Sequence, residues 1–187
     1  MKLSPRVKFL LLIGLFALPV IVAYVAYYGW RPAGHGNYGE LIETRPLQHT
    51  AGVLSDGTQF DLQQLRGKWV MVHVGPAACD DACTQQLYHM RQVRLTQGKN
   101  QSRIARLWVL ADAGTPSVAL LNAHPGLVVW RPDHAGFLAQ WPAVERPSAH
   151  IYLVDPLGNQ MLRFPAALEP KRMMKDLKLL LKASQIG

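Results

Sequence analysis

Cysteine is scarce in this chain: two residues in 187. That scarcity excludes a small scaffold held together by several disulfides. It also excludes a structural zinc site built largely on thiolates, which needs four protein ligands. Acidic residues are few as well, 12 against 20 Lys and Arg, for a formal net charge of +8. The surplus is spread along the chain, with no nucleic-acid-binding motif and no interleaving of aromatic and basic residues. Nucleic acid is therefore not expected as a partner. A solvated basic face, turned toward anionic lipid head groups or an acidic partner, accounts for the charge. No internal repeat is present.

One stretch lacks charge altogether. Phe9 to Gly29 reads FLLLIGLFALPVIVAYVAYYG. At about 1.5 Å per residue it spans roughly 32 Å, enough to cross a hydrocarbon core of about 30 Å. A membrane helix tolerates the interruption at Pro19. Tyr24, Tyr27, Tyr28 and Trp30 crowd its C-terminal end, as an interfacial aromatic belt would. No A-x-A cleavage site and no cysteine follow the run, so an uncleaved anchor is expected rather than a removed signal or a lipid-modified cysteine. Lys2, Arg6 and Lys8 precede it. The positive-inside rule then places the N-terminus in the cytoplasm and exports the rest, into the periplasm if the source is bacterial. The expected organisation is a cytoplasmic tip over residues 1–8, a transmembrane anchor over 9–29, a Gly- and Pro-rich linker over 30–46, and one domain over 47–187.

Within that domain, Asp56-Gly57 turns a hairpin between Val53-Leu54 and Gln59–Leu62. Trp69–Val74 reads as a buried strand, Asp80 to about Gln97 as a helix, and Ile104–Leu110 as a second buried strand. A helix is expected over Thr115–Ala123 with Pro116 at its first position, then a short strand over Leu127–Trp130 and a short helix over Asp133–Trp141. His150–Val154 and Gln160–Phe164 form a hairpin around Asp155–Asn159. Glu169–Ala183 is a basic amphipathic helix, apolar at Met173, Met174, Leu177, Leu180 and Leu181. Strands alternating with helices give an α/β sandwich around a central mixed sheet. With a cysteine pair after the first central strand, that order is thioredoxin-like.

The two cysteines lie at the junction of strand and helix, in Val74-Gly75-Pro76-Ala77-Ala78-Cys79-Asp80-Asp81-Ala82-Cys83. Cysteines four apart at helical spacing have Cα atoms about 6 Å apart, within disulfide range. So short a loop adds little entropic stability, which points to a functional pair. As thiolates, the two would also suit one soft metal ion such as Cu(I). A helix N-terminus favours a thiolate, while Asp80 and Asp81 oppose it. His73, in the central strand, reads as a satisfied core histidine, and Asp112 as a loop or capping carboxylate.

Several motifs resemble those of the Sco/SenC proteins, membrane-anchored, thioredoxin-like copper chaperones that assist cytochrome c oxidase assembly. They are Leu65-Arg66-Gly67-Lys68-Trp69, Gly75, the C-x-x-x-C core Cys79–Cys83 with Asp81 inside it, and Ile151-Tyr152-Leu153-Val154-Asp155-Pro156-Leu157-Gly158. The resemblance implies copper held by Cys79, Cys83 and a histidine ahead of the last strand. The family register for that histidine falls on Pro147, and His150, three residues on, is the candidate third copper ligand beside Cys79 and Cys83. Asp80 and Thr84 replace the prolines that usually follow the cysteines.

Three readings stay open. The chain is a Sco-like assembly factor that binds and delivers copper, or reduces copper-site cysteines of an oxidase subunit, through Cys79 and Cys83. Alternatively it is a general exported thiol–disulfide oxidoreductase acting on another exported thiol protein. The third reading is a non-catalytic membrane-tethered binding domain.

Overall fold

The computed structural model describes residues 4–29, 36–48, 50–142 and 146–184. It separates into two units, residues 1–36 and 37–187. In the first, α1 (Pro5–Gly29) is a continuous helix with Pro19 inside it. Its mean hydropathy reaches 2.7, and it is long and apolar enough to cross a membrane. The Tyr24 and Tyr28 rings stack 4.5 Å apart near its end. Trp30, the last member of the expected aromatic belt, lies outside the described residues, as do residues 31–35 of the expected linker.

The second unit contains β1 (Glu40–Pro46), β2 (Ala51–Leu54), β3 (Gln59–Asp61), β4 (Trp69–Gly75), α2 (Asp81–Leu95), β5 (Ile104–Leu110), α3 (Val118–Ala123), β6 (Leu127–Pro132), β7 (Ile151–Val154), β8 (Asn159–Arg163) and α4 (Pro170–Ala183). The strands form one mixed sheet in the order β1-β8-β7-β4-β5-β6-β2-β3. β4 lies at its middle, parallel to β5 and antiparallel to β7, and is buried along its whole length.

Burial on both faces explains the near-continuous apolar run of β4, broken by His73. Side chains alternate between faces with a period of two. Trp69 and Met71 enter one core layer with Leu87, Met90, Met173, Leu177 and Leu181 of α2 and α4. Val70, Val72 and Val74 enter the other with Trp130, Phe137, Trp141 and Tyr152. The Asp56-Gly57 hairpin forms as expected, with Gly57 at φ +84° and Leu54 N–H donating to Thr58 O at 2.9 Å. A left-handed residue is what that turn requires.

Several boundaries differ from expectation. The last seven residues of the expected linker are a strand: β1 pairs antiparallel with β8, and Glu40 meets Arg163 in an ion pair. Just before it, Gly39 N–H donates to the buried Asp176 at 2.8 Å and Tyr38 Oη donates to Ala167 O at 3.1 Å. Long-range pairing orders this segment despite its weak local pattern. α3 starts at Val118, because Ser117 caps it by accepting from Leu120 N–H at 3.2 Å, and Pro116 stands outside. The expected helix over Asp133–Trp141 is a 3₁₀ turn, Ala135–Gln140. β7 begins at Ile151, since His150 closes another 3₁₀ turn, Pro147–Ala149.

Candidate redox site

The carboxyl end of β4 runs into a loop, Pro76–Asp80, and then into α2. Asp80 is the N-cap: its carboxylate accepts from Cys83 N–H at 2.9 Å, satisfying one of the helix's free donors. Asp112 at the end of β5 holds the loop from the side. Its Oδ1 accepts from Ala77 N–H at 3.0 Å and from Gly114 N–H at 3.2 Å. Gly114 has no side chain where one would strike the loop: a Cβ there would lie 2.9 Å from Ala77 Cβ. The sequence reading of Asp112 as a loop carboxylate therefore holds, and its work is to fix the cysteine loop.

Cys79 and Cys83 are joined as a disulfide, with Cα atoms 5.3 Å apart. The two sulfurs have unequal environments. Cys79 is partly exposed and sits ahead of the helix, with the Thr84 hydroxyl 3.7 Å from its sulfur. Cys83 is 6% exposed, lies in the first turn of α2 and belongs to the core layer beneath it. An incoming thiolate therefore meets Cys79. Beside α2, a groove lined by Ala82, Gln86, His89, Ala167, Leu168 and Glu169 runs past the turn that carries Cys83.

His150 does not join the sulfurs. Its Nδ1–H donates to Phe164 O at 2.8 Å, and its ring lies 6.2 Å from that of Tyr152, a residue of the opposite core layer. Ile151, next in sequence, faces the layer of Cys83. The one-residue alternation of the strand sends His150 the other way. Among the described residues, no three His, Cys, Asp or Glu side chains come together as a metal-holding group.

His73, read from sequence as a core histidine, is one, and it lies in the core layer shared with Cys83. His73 is completely buried on β4, and its Nδ1 is 2.8 Å from Gln86 Oε1 on α2. Burial is the chief cause that lowers its pKa to about 4, against the opposing influences of Gln86 and Asp80. The available signal was spacing: parity along β4 puts His73 on the face with Trp69 and Met71, which α2 covers.

Comparison with solved structures finds the same fold in chains of low sequence identity. Yeast Sco1 with copper bound is 18% identical, with a TM-score of 0.64 over 75% of this chain and 96% of that one. Bradyrhizobium japonicum ScoI with copper bound is 20% identical, with a TM-score of 0.57 over 72% and 99%. A putative protein disulfide isomerase from Bacteroides thetaiotaomicron is 16% identical, with a TM-score of 0.57 over 77% and 92%. The expected likeness to Sco/SenC proteins thus holds for the fold. Comparison with curated protein sequences finds no match. A family model described as transmembrane-like, thioredoxin-like, C-terminal domain matches residues 69–184, from the start of β4 through the end of α4. The chain belongs to that transmembrane-like, thioredoxin-like family, as a divergent chain with the Sco fold.

Proposed function

We propose that this chain is a membrane-anchored thiol–disulfide exchange protein of Sco type, with Cys79 as the attacking sulfur and Cys83 as the resolving one. The observation that carries this reading is the unequal burial of a bonded pair at a helix N-terminus. One sulfur is open to a partner, and the other lies 6% exposed behind it. Exchange needs an accessible thiolate and a second thiol close enough to displace the partner. In a bilayer α1 serves as the anchor, and Arg6 and Lys8 at its start favour a cytoplasmic N-terminus and an exported domain.

The Sco likeness supports one target class in particular: exported copper-site cysteines, such as those of a cytochrome c oxidase subunit, which must be reduced before they take metal. Any exported protein disulfide is chemically equivalent. The three-ligand copper site implied by resemblance is not assembled among the described residues. The Sco-type site implied by resemblance needs an imidazole beside the two sulfurs, and His150 is turned to the other core layer.

Replacing Cys83 with Ser in the membrane-embedded chain tests the reading. The variant should accumulate a mixed disulfide between Cys79 and its partner, recoverable by non-reducing electrophoresis and released by dithiothreitol. If no such species forms while the partner disulfide is present, and the native pair also fails to open with a small thiol, the pair is inert and the exchange reading falls.

A further inference from the structure

His73 carries a buried lone pair that nothing described so far explains. Gln86 Nε2–H donates to Ala149 O at 2.9 Å, which turns Gln86 Oε1 toward His73 Nδ1, 2.8 Å away. An amide oxygen can only accept. His73 therefore holds its proton on Nδ1 and presents a bare lone pair at Nε2. That Nε2 is buried and has no hydrogen-bond partner among the described residues. A buried acceptor left unmet calls for an explanation, and a proton-accepting role is one.

The lone pair is aimed along β4 toward the cysteine loop. A Cβ added to Gly75 would stand 2.9 Å from Nε2, so the ring lies over the last residue before Pro76. α2 covers this face. On that helix Cys83 stands one turn ahead of Gln86, both inward and buried. We propose that His73 Nε2 is the proton acceptor for the Cys83 thiol, held in the accepting tautomer by Gln86 as a positioning residue.

This rests on the thiol-exchange reading and adds the fate of its proton. In the reduced protein, the Cys79 thiolate attacks a partner disulfide, forming a Cys79–partner S–S bond and releasing one partner sulfur as thiolate. The Cys83 S–H then gives its proton to His73 Nε2. The Cys83 thiolate attacks Cys79 Sγ, the new Cys79–Cys83 bond forms, and the second partner sulfur leaves. That departing thiolate takes up the proton, through solvent, as His73 returns to its neutral form. Two electrons pass from the Cys79–Cys83 pair to the partner disulfide, which ends as two thiols once the first released thiolate takes from solvent the proton that Cys79 gave up on ionising.

The surroundings agree with this role. In the sheet, His73 is flanked by Trp108 on β5 and Ile151 on β7, neither of which titrates. α2 contributes Gln86 and Cys83, and Asp80 acts on His73 through its charge. α4 contributes Met173 and Leu177 to the layer, and its buried Asp176 is engaged by Gly39 N–H. Arg106, on the same face of β5, donates to Pro125 O at 2.6 Å. With the disulfide closed, His73 stays neutral at physiological pH, because burial depresses its pKa to about 4. Opening the disulfide puts a sulfur able to carry negative charge into the same layer, and an opposite charge nearby raises an imidazole's pKa.

The test uses the full chain in detergent. NMR follows the His73 imidazole across pH in the oxidised and dithiothreitol-reduced protein. Its midpoint should rise by about one unit or more on reduction; an unmoved midpoint overturns the proposal. In parallel, the reduced chain reacts with a small aromatic disulfide whose thiol absorbs visible light. The first release reports attack by Cys79, and the second reports closure by Cys83. In His73→Gln the second phase should slow about 100-fold at pH 7 and recover at alkaline pH, with the first phase unchanged. Should His73→Gln not fold, Gln86→Leu keeps the imidazole but frees its orientation, and should slow closure alone. Closure with native rate and native pH profile in these variants overturns the proposal. Absence of the first phase in the native chain instead removes the exchange reading beneath it.

Discussion

Cys83 donates its backbone N–H to the Asp80 carboxylate at 2.9 Å, so the acid that opens α2 is hydrogen-bonded to the buried half of the disulfide. Cap and redox pair therefore share one turn of chain. Asp80→Ala should cost about 1 kcal/mol of stability, and Asp80→Asn much less, because an Asn side chain also caps. Chemical denaturation of the oxidised protein measures both. Equal losses in the two variants would show that the cap contributes nothing.

The unequal exposure of the two sulfurs predicts unequal labelling. In the reduced chain, iodoacetamide should modify Cys79 about tenfold or more faster than Cys83, which is 6% exposed. Peptide mass spectrometry after timed quenching reads the ratio. Comparable rates would mean that the first turn of α2 opens freely once the disulfide is reduced.

Acid should destabilise the oxidised protein in a defined window. His73 has a folded pKa near 4, against about 6.5 in the unfolded chain. Between those values the unfolded chain binds more protons, so stability falls as pH drops from about 6.5 to 4. The loss through this group approaches about 3 kcal/mol at the lower end. His124, whose pKa is also lowered, chiefly by burial, acts in the same direction. The difference between native protein and His73→Gln isolates His73: the variant should lose less stability across this window. Parallel curves would count against a buried neutral imidazole.

Gly114→Ala should disturb the cysteine loop without touching a cysteine. Its new methyl would sit 2.9 Å from Ala77 Cβ and 3.3 Å from Asp112 Oδ1, the atom that holds Ala77 N–H. Overpacking of this kind costs about 1–3 kcal/mol. The melting temperature should drop, and reduction of the Cys79–Cys83 bond by dithiothreitol should speed up. A disulfide that reduces at the native rate would show that the loop yields elsewhere.

The position of His150, bound to Phe164 O and beside Tyr152, predicts weak copper retention. The reduced full chain, challenged with a competing Cu(I) chelator, should keep substoichiometric copper, and His150→Ala should leave that amount unchanged. Stoichiometric copper that His150→Ala removes would restore the three-ligand site implied by resemblance.

Much of the architecture was legible because the sheet's centre speaks locally. Ile104–Leu110 is apolar but for Arg106 and forms β5 over those same residues. Asp56-Gly57 specifies its turn through Gly57. The Glu40–Pro46 strand was hidden, since its residues are mostly exposed and its order comes from β8, Asp176 and Ala167, far away in sequence. The site divided in the same way. Cys79 and Cys83 stood out by spacing, and His150's mismatch was visible from register. His73 looked like ordinary core, because only the Ala149–Gln86–His73 chain of hydrogen bonds shows which nitrogen holds the proton.

The position of β1 at the rim of the sheet sets where the soluble portion can be trimmed. A fragment begun at residue 47 would strip β8 of its neighbour and bare a row of unpaired backbone donors and acceptors. Such a fragment invites strand-to-strand oligomers through β8, whereas one begun near Asn37 keeps β8 paired with β1.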